Sequence, residues 1–162
     1  MAQAGLPLVA ETLTAEAFAP FGQVIEAGLA KSWPINGGTT IRHHALAEAE
    51  TGAEGRAILS IFRAEPWPSR PLDMLERHPL GSQAFMPLGP HPWLVLVAGE
   101  PEARACRLFA ARADQGVQYA TGVWHHPLLV EAGRQDFLVV DREGPGQNLE
   151  EIRLDPPVLL PR

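Results

Sequence analysis

The abundance of glycine and proline constrains this chain more than any other feature of its sequence. The two residue types occupy 31 of the 162 positions, well above their usual combined share of about 12%. Both interrupt helices and favour turns, so the segments that can be regular are short. The sequence therefore predicts a mostly β fold with few short helices.

Apolar segments of strand length follow one another through the middle of the chain. Trp93–Ala98 is apolar on both faces, which is typical of a central strand. Ala57–Arg63 alternates, so Leu59, Ile61 and Arg63 share one largely apolar face. Further strands are predicted at Ala105–Ala111, Leu128–Val130 and Asp136–Asp141. This spacing suits a closed β-sandwich or barrel.

Helices are predicted at two places. Thr14 can cap a short helix over Ala15–Phe18, because a proline and a glycine follow closely and prevent its extension. A second helix is predicted at Ala45–Thr51, where alanine and glutamate dominate and a glycine ends the pattern. The proline-rich end from Pro156 is predicted to be a loosely held tail.

Charge and composition exclude several classes of partner. The net charge of −6 would repel a phosphate backbone. The longest strongly apolar segment, Trp93–Ala98, is too short to span a bilayer, and the N-terminal residues lack the pattern of a signal peptide. A single cysteine, Cys106, suits a reducing compartment. We expect one domain over residues 1–162, in the cytoplasm, with no nucleic-acid or membrane partner.

The first candidate site begins at Glu76. Glu76 and His78 are two residues apart, so on a strand their side chains point the same way and could share a cation or a substrate. An isolated pair of this kind is more often a surface feature. Here a turn at Gly81 follows and can bring the amide of Gln83 back to the same cavity.

The second candidate site lies in Gly116–Pro127, where glycines frame an aromatic-rich segment. Adjacent residues face opposite sides of a strand, so at most one of His125 and His126 enters a shared pocket. We expect His125 to point inward and His126 to be a structural or interface residue. A third pair, His43 and His44, has the same ambiguity.

Three arginines at strand edges could bind a carboxylate through two parallel hydrogen bonds: Arg42, Arg63 and Arg142. Arg63 is favoured because its strand face is apolar. The alternatives are an ion pair with a nearby acid at the surface, or an arginine whose aliphatic part packs at the edge of the core.

Two long segments resemble the signature segments of ureidoglycolate lyases. They are Glu76-Arg77-His78-Pro79-Leu80-Gly81-Ser82-Gln83-Ala84-Phe85-Met86-Pro87 and Gly122-Val123-Trp124-His125-His126-Pro127, in that order. Further similarity runs through Ile35–Gly37, Ser60–Ala64 and Asp136–Arg142. The resemblance therefore covers nearly the whole chain, from about Leu8 to Leu154.

This resemblance implies a fold and a reaction. The fold is a cupin-like double-stranded β-helix, or jelly-roll barrel, usually paired as a homodimer. The reaction is that of a C–N lyase of the amidine-lyase class, which releases urea from (S)-ureidoglycolate to give glyoxylate in purine nitrogen recovery through allantoin. It needs a base for the carbinol hydroxyl and an acid for the leaving urea.

On this resemblance, one set of residues lines the barrel mouth. The expected catalytic residues are Glu76, His78, His125 and Tyr119, and the expected substrate-binding residues are Arg63, Gln83 and Arg142. A divalent ion of nickel or manganese type could be held by Glu76, His78, Gln83 and His125. Cupins generally bind metal through His-x-His and then Glu, and this chain differs, so metal-assisted and purely side-chain mechanisms both stay open.

Because a cupin barrel hosts many activities, two other functions stay open at this point. One is a non-enzymatic module that binds a small acid, and the other is a metal-dependent oxygenase. No organic cofactor is expected.

Overall fold

The computed structural model describes residues 4–162, and its regular structure is almost entirely β. Within this range the α-helix α1 spans Ala15–Phe18, and short 3-10 helices span Asn36–Gly38 and Ala103–Ala105. The strands are β1 (Leu6–Pro7), β2 (Ala10–Thr12), β3 (Gly22–Ile25), β4 (Ser32–Ile35), β5 (Thr40–His43), β6 (Arg56–Ala64), β7 (Leu72–Arg77), β8 (Gln83–Pro87), β9 (Trp93–Ala98), β10 (Cys106–Ala111), β11 (Gly116–Tyr119), β12 (Trp124–His125), β13 (Leu129–Val130), β14 (Gln135–Glu143) and β15 (Glu150–Leu159). No helix in the described range is long and apolar enough to cross a membrane.

The strands form two facing sheets and a separate hairpin. The large sheet has the order β1-β15-β7-β12-β9-β10-β2, with β13 also paired to β9. The second sheet has the order β3-β11-β8-β14-β6, and β4 pairs with β5 alone. From β7 onward the chain passes repeatedly from one sheet to the other, as in a double-stranded β-helix. The expected mostly β, cupin-like fold with few short helices is confirmed.

The main core lies between the two sheets. Its largest side chains are aromatic, and Phe18, Phe109 and Phe137 are completely buried. A second apolar cluster, which includes Leu96 and Leu108, is built from residues of the large sheet. Consecutive residues of β9 belong alternately to the two clusters, so this strand is buried on both faces, as its sequence predicted.

The predicted first helix and most predicted strands are confirmed. The hydroxyl oxygen of Thr14 accepts a hydrogen bond of 3.1 Å from the backbone N–H of Ala17, and α1 covers Ala15–Phe18 as expected. Cys106 begins β10 and is buried, as expected for a small core residue. The tightly spaced turn residues were thus a reliable guide to where regular structure begins and ends.

The predicted second helix at Ala45–Thr51 is wrong. No residue of this segment is helical, because tertiary hydrogen bonds hold its backbone against the second sheet. The carbonyl of Glu48 accepts a bond from the Gln118 amide, and the backbone N–H and C=O of Glu50 both bond to Ser82. These contacts outweigh the weak helical preference of alanine and glutamate.

The predicted loose tail is also wrong. Residues from Glu150 to Leu159 form β15, the longest strand, which pairs with β7 and β1. The ladder is irregular between Arg153 and Val158, where two prolines lie. A bulge accommodates prolines that lack an N–H for the ladder, so the strand continues past them.

Candidate active site

Strand register brings the main candidate residues together from both sheets. In the large sheet, Glu76 on β7 is directly opposite His125 on β12. In the second sheet, Gln83 on β8 is directly opposite Tyr119 on β11. His78 follows the end of β7, in the turn that carries the chain from one sheet to the other. The segments that looked separate in sequence therefore meet at one place between the sheets.

Glu76, His78 and His125 form the centre of this site. Each offers a ligand atom, and these atoms all lie within 4.8 Å of one another. Among the described residues, this is the only group of three or more His, Cys, Asp or Glu side chains with such spacing. A carboxylate and two imidazoles at this distance can hold a divalent ion or act on one substrate.

The ring of His125 is fixed on three sides. Its Nδ1 bonds to the carbonyl of Val123 at 3.0 Å, so Nδ1 carries a hydrogen. The ring stacks on Tyr119 at a centroid distance of 4.2 Å. Its buried Nε2 has no hydrogen-bond partner and lies 3.5 Å from Glu76 Oε1. A proton or a cation at Nε2 would satisfy both groups.

A chain of hydrogen bonds links His78 to the second sheet. Its Nδ1 is 2.9 Å from the backbone oxygen of Asn148, and its Nε2 is 3.0 Å from Gln83 Oε1. The Gln83 amide nitrogen donates to Asp141 Oδ2 at 3.2 Å. The side chain of Asn148 also accepts a bond from the backbone N–H of Leu80, which fixes the turn beside His78.

Glu76 and Tyr119 have different protonation states at neutral pH. Burial raises the pKa of Glu76, but the His125 ring 3.5 Å away and the charge of His78 outweigh it, so that the pKa lies below its ordinary value. Burial, and then the charge of Glu76, raise the pKa of Tyr119. At neutral pH Glu76 is therefore ionised and Tyr119 keeps its proton.

A cavity of about 410 Å³ lies beside the cluster and is lined by Glu76 and Gln83, and its volume is within the usual range of small-molecule sites. Glu76 and Gln83 contribute polar walls, while Phe62 and Phe85 contribute apolar ones. Arg63 also lines the cavity, close to where it meets solvent. The site is thus a mostly apolar pocket with a few convergent polar groups.

Arg63 lies at the cavity and shares a strand face with Leu59 and Ile61, as the alternation predicted, but that face is the exposed one. Its neighbours Leu59 and Ile61 are 71% and 56% exposed, so this apolar face points away from the core. The guanidinium makes two hydrogen bonds to Asp136, of 2.8 and 3.0 Å. Arg63 therefore forms the surface ion pair that was one alternative, and it does not pack at the edge of the core.

The other candidate cations and histidines lie elsewhere. Arg142 bonds to the backbone oxygens of Thr51 and Pro145. The exposed β4–β5 hairpin carries Arg42 and His43, and the residue after it, His44, packs against Trp33 with the two rings tilted. His126 is buried on the far side of β12, where its ring contacts Trp67 edge-on at 4.8 Å.

Two residues of the network were not recognised from the sequence. Asp141 shares a strand face with the buried Phe137 and Val139, so the period of two in β14 places it between the sheets. That alternation was a usable signal. Asn148 contributes a backbone oxygen from a loop, and no residue pattern indicates such a contact.

Comparison with known proteins identifies the family. The family model described as ureidoglycolate lyase matches residues 6–161. The chain belongs to the ureidoglycolate lyase family. A ureidoglycolate lyase of Agrobacterium fabrum is 53% identical over 153 residues, covering 91% of this chain and 92% of the relative. That of Pseudomonas syringae pv. syringae is 54% identical over 149 residues, covering 89% of this chain and 88% of the relative.

A distant structural likeness exists to the oxalate decarboxylase of Bacillus subtilis. It has a TM-score of 0.35 and 11% identity, and it covers 70% of this chain and 31% of that chain. The resemblance inferred from the two signature segments is confirmed by the family match, which spans both of them.

Proposed function

We propose that this chain is a ureidoglycolate lyase that cleaves (S)-ureidoglycolate to glyoxylate and urea. The observation that carries the proposal is the cluster of Glu76, His78 and His125 beside a cavity that Glu76 lines, in a chain 53% identical to a named ureidoglycolate lyase. We further propose that the reaction serves allantoin degradation in the cytoplasm and that residues 1–162 act as one domain. Burial raises the pKa of the Cys106 thiol to about 11, which favours a structural role for that residue.

The reaction requires one proton to leave and another to arrive. Loss of the carbinol hydroxyl proton lets the C=O bond of glyoxylate form as the C–N bond to urea breaks, and the leaving nitrogen takes up a proton. Glu76 is suited to accept the first proton because it is ionised at neutral pH. His78 is suited to donate the second, because oxygen acceptors face both of its ring nitrogens.

The remaining candidates have supporting roles in this proposal. Gln83 and Arg63 line the cavity and can bind the substrate's polar ends, and a guanidinium suits its carboxylate. Tyr119 holds the ring of His125 by stacking on it. Arg142 would contribute to substrate binding only by leaving the backbone oxygens that it now contacts.

A divalent ion of nickel or manganese type is proposed as a cofactor. The residues fit such an ion, because the buried Nε2 of His125 faces the Glu76 carboxylate with no hydrogen-bond partner of its own. As the alternative to proton donation by His78, Glu76, His78 and His125 would hold it, with Gln83 as a neutral ligand. When bound, it would polarise the hydroxyl and carboxylate oxygens of the substrate.

A homodimer is proposed through the outer face of β6. This strand lies at the edge of its sheet and exposes Leu59 and Ile61, and exposed apolar edge strands tend to pair with another chain. In light scattering after gel filtration, Ile61→Lys is expected to halve the mass of the wild-type dimer. Val9→Lys, at another exposed apolar position, should not. A monomeric wild type would contradict the proposal.

The activity is tested by measuring urea and glyoxylate released from racemic ureidoglycolate. Equal amounts of both products, ending when one enantiomer is consumed, are expected. Metal content and the effect of a chelator on the same sample test the cofactor. Product formation no faster than the spontaneous background, with added nickel or manganese, would overturn the lyase proposal. Oxygen consumption with iron(II) instead would indicate an oxygenase.

A further inference from the structure

Asp141 is a partly buried carboxylate that belongs to none of the ion pairs among the described residues. Its Oδ1 is buried without a hydrogen-bond partner, and its Oδ2 accepts the amide hydrogen of Gln83 at 3.2 Å. A buried carboxylate without a cation is costly, and its neighbour Arg142 bonds elsewhere. A purely structural role in the fold therefore explains this side chain poorly.

The contact with Asp141 decides which way the Gln83 amide points. Register pairs Val140 with Ala84, so the next pair in the same antiparallel ladder sets Asp141 opposite Gln83. Oδ2 of Asp141 accepts a hydrogen bond of 3.2 Å, and the group of Gln83 that donates it is the amide nitrogen. The amide oxygen then faces His78 Nε2, at 3.0 Å.

The orientation of Gln83 in turn decides what His78 can do. The other ring nitrogen, Nδ1, faces the backbone oxygen of Asn148, which is also an acceptor. If Gln83 were reversed, its amide nitrogen would face His78 Nε2 and its oxygen would face the Asp141 carboxylate. That arrangement sets two acceptors against each other and is disfavoured.

We propose that Asp141 is a positioning residue: it locks the Gln83 amide so that its oxygen points at His78 Nε2 and holds a hydrogen there. This inference rests on the proposed function for its kinetic test only. Asp141 is not among the residues that line the cavity, and it reaches that wall only through its hydrogen bond to Gln83. It acts through Gln83 on the residue that is proposed to donate the proton to the leaving urea.

The kinetic test compares single and reciprocal double substitutions. Asp141→Asn offers both a donor and an acceptor, so Gln83 can take either orientation. We expect kcat to fall about 10–100-fold, the usual effect of losing a partner of an active-site group, with KM and the melting temperature nearly unchanged. Asp141→Asn combined with Gln83→Glu restores an acceptor-only group opposite His78 and should recover most of the lost kcat.

The control is Glu143→Gln, two residues further along β14, which removes an exposed ion pair with Arg56. It should leave kcat unchanged. Full activity in Asp141→Asn would overturn the proposal. A double variant that is no more active than Asp141→Asn would also overturn it. The double variant again places a hydrogen-bond acceptor opposite His78, and the proposal depends on that acceptor.

A second readout does not depend on activity, and its wild-type arm does not depend on how well a variant folds. In protein with ¹⁵N-labelled histidine, assigned with His78→Asn, the wild type should show a hydrogen on His78 Nε2. This signal should weaken in Asp141→Asn and persist in Glu143→Gln. A wild-type His78 without that hydrogen would overturn the inference. If the hydrogen on His78 Nε2 is present but the protein does not cleave ureidoglycolate, the positioning role of Asp141 is supported and the proposed function fails.

Discussion

Two adjacent histidines, His125 on β12 and His126 directly after it, are similarly buried in different surroundings. His125 is 1% exposed and His126 is 3% exposed. The first faces Glu76 and stacks on Tyr119 between the sheets. The second contacts Trp67 on the opposite face, and the only hydrogen bond of its ring is to the neighbouring carbonyl of Pro127.

Burial alone therefore does not identify a functional histidine. Both rings have a buried Nε2 without a hydrogen-bond partner. At His125 this nitrogen lies beside a carboxylate and close to a second imidazole. At His126 burial lowers the pKa of the ring, although its bond to Pro127 and the charge of Glu76 oppose the shift, so the ring is neutral at neutral pH. Proximity to Glu76 and His78 distinguishes the site.

The strongest test exchanges each histidine for asparagine. The asparagine amide can replace the Nδ1 donor of either ring, but it removes Nε2. His125→Asn should lower kcat about 10²–10⁴-fold, the usual range for disabling a proton-transfer group, because it removes the nitrogen that faces Glu76, the proposed base. His126→Asn, the matched variant, should change kcat by less than about threefold, since it lies outside the site. Steady-state kinetics check both, and equal losses in the two variants would contradict the distinction.

A smaller effect, on KM, is expected when Arg63, the arginine that lines the cavity, is replaced. Arg63→Gln should raise KM about tenfold with little change in kcat, because hydrogen bonds to charged groups contribute roughly 1.5–3 kcal/mol. Arg70→Gln, which removes a cation stacked on Trp67 beside His126, is the control and should leave KM unchanged. An unaltered KM in Arg63→Gln would mean that another group binds the carboxylate.

Tyr119→Phe removes the hydroxyl and keeps the ring, so it distinguishes the contributions of the two to kcat. The stacking on His125 uses the ring, and the hydroxyl keeps its proton at neutral pH because burial raises its pKa. We expect kcat to fall less than about threefold, since phenylalanine preserves the stacked ring. A loss of a hundredfold or more would instead assign the hydroxyl to the reaction.

The smallest expected effect is on how the melting temperature depends on pH, through the buried ring of His126. The folded pKa of His126 lies below its ordinary value of 6.5, so the unfolded chain binds a proton more readily. Stability from this group is present above about pH 6.5 and is lost as pH falls toward the folded pKa. Between about pH 7.5 and pH 5.5, the melting temperature of His126→Asn should therefore fall a few degrees less than that of the wild type. Calorimetry checks this, with the exposed His44→Gln as control, and a wild-type-like decrease would contradict it.

Local sequence patterns predicted the strands and the first helix well, because turn residues bound each element. Alternation assigned His125 and His126 to opposite faces of one strand. The same reasoning failed at Ala45–Thr51 and after Pro156. In both segments, contacts with residues distant in sequence outweigh local preference.

The mostly β fold, the family and the residues that could carry chemistry all follow from the sequence. Tertiary structure alone decided that Glu76 is opposite His125, that Gln83 reaches His78, and that Asp141 lies behind Gln83. The physical reason is that side-chain direction along a strand follows from a period of two, which the sequence displays. The pairing of strands from two sheets depends on register between distant segments, and no local pattern specifies it.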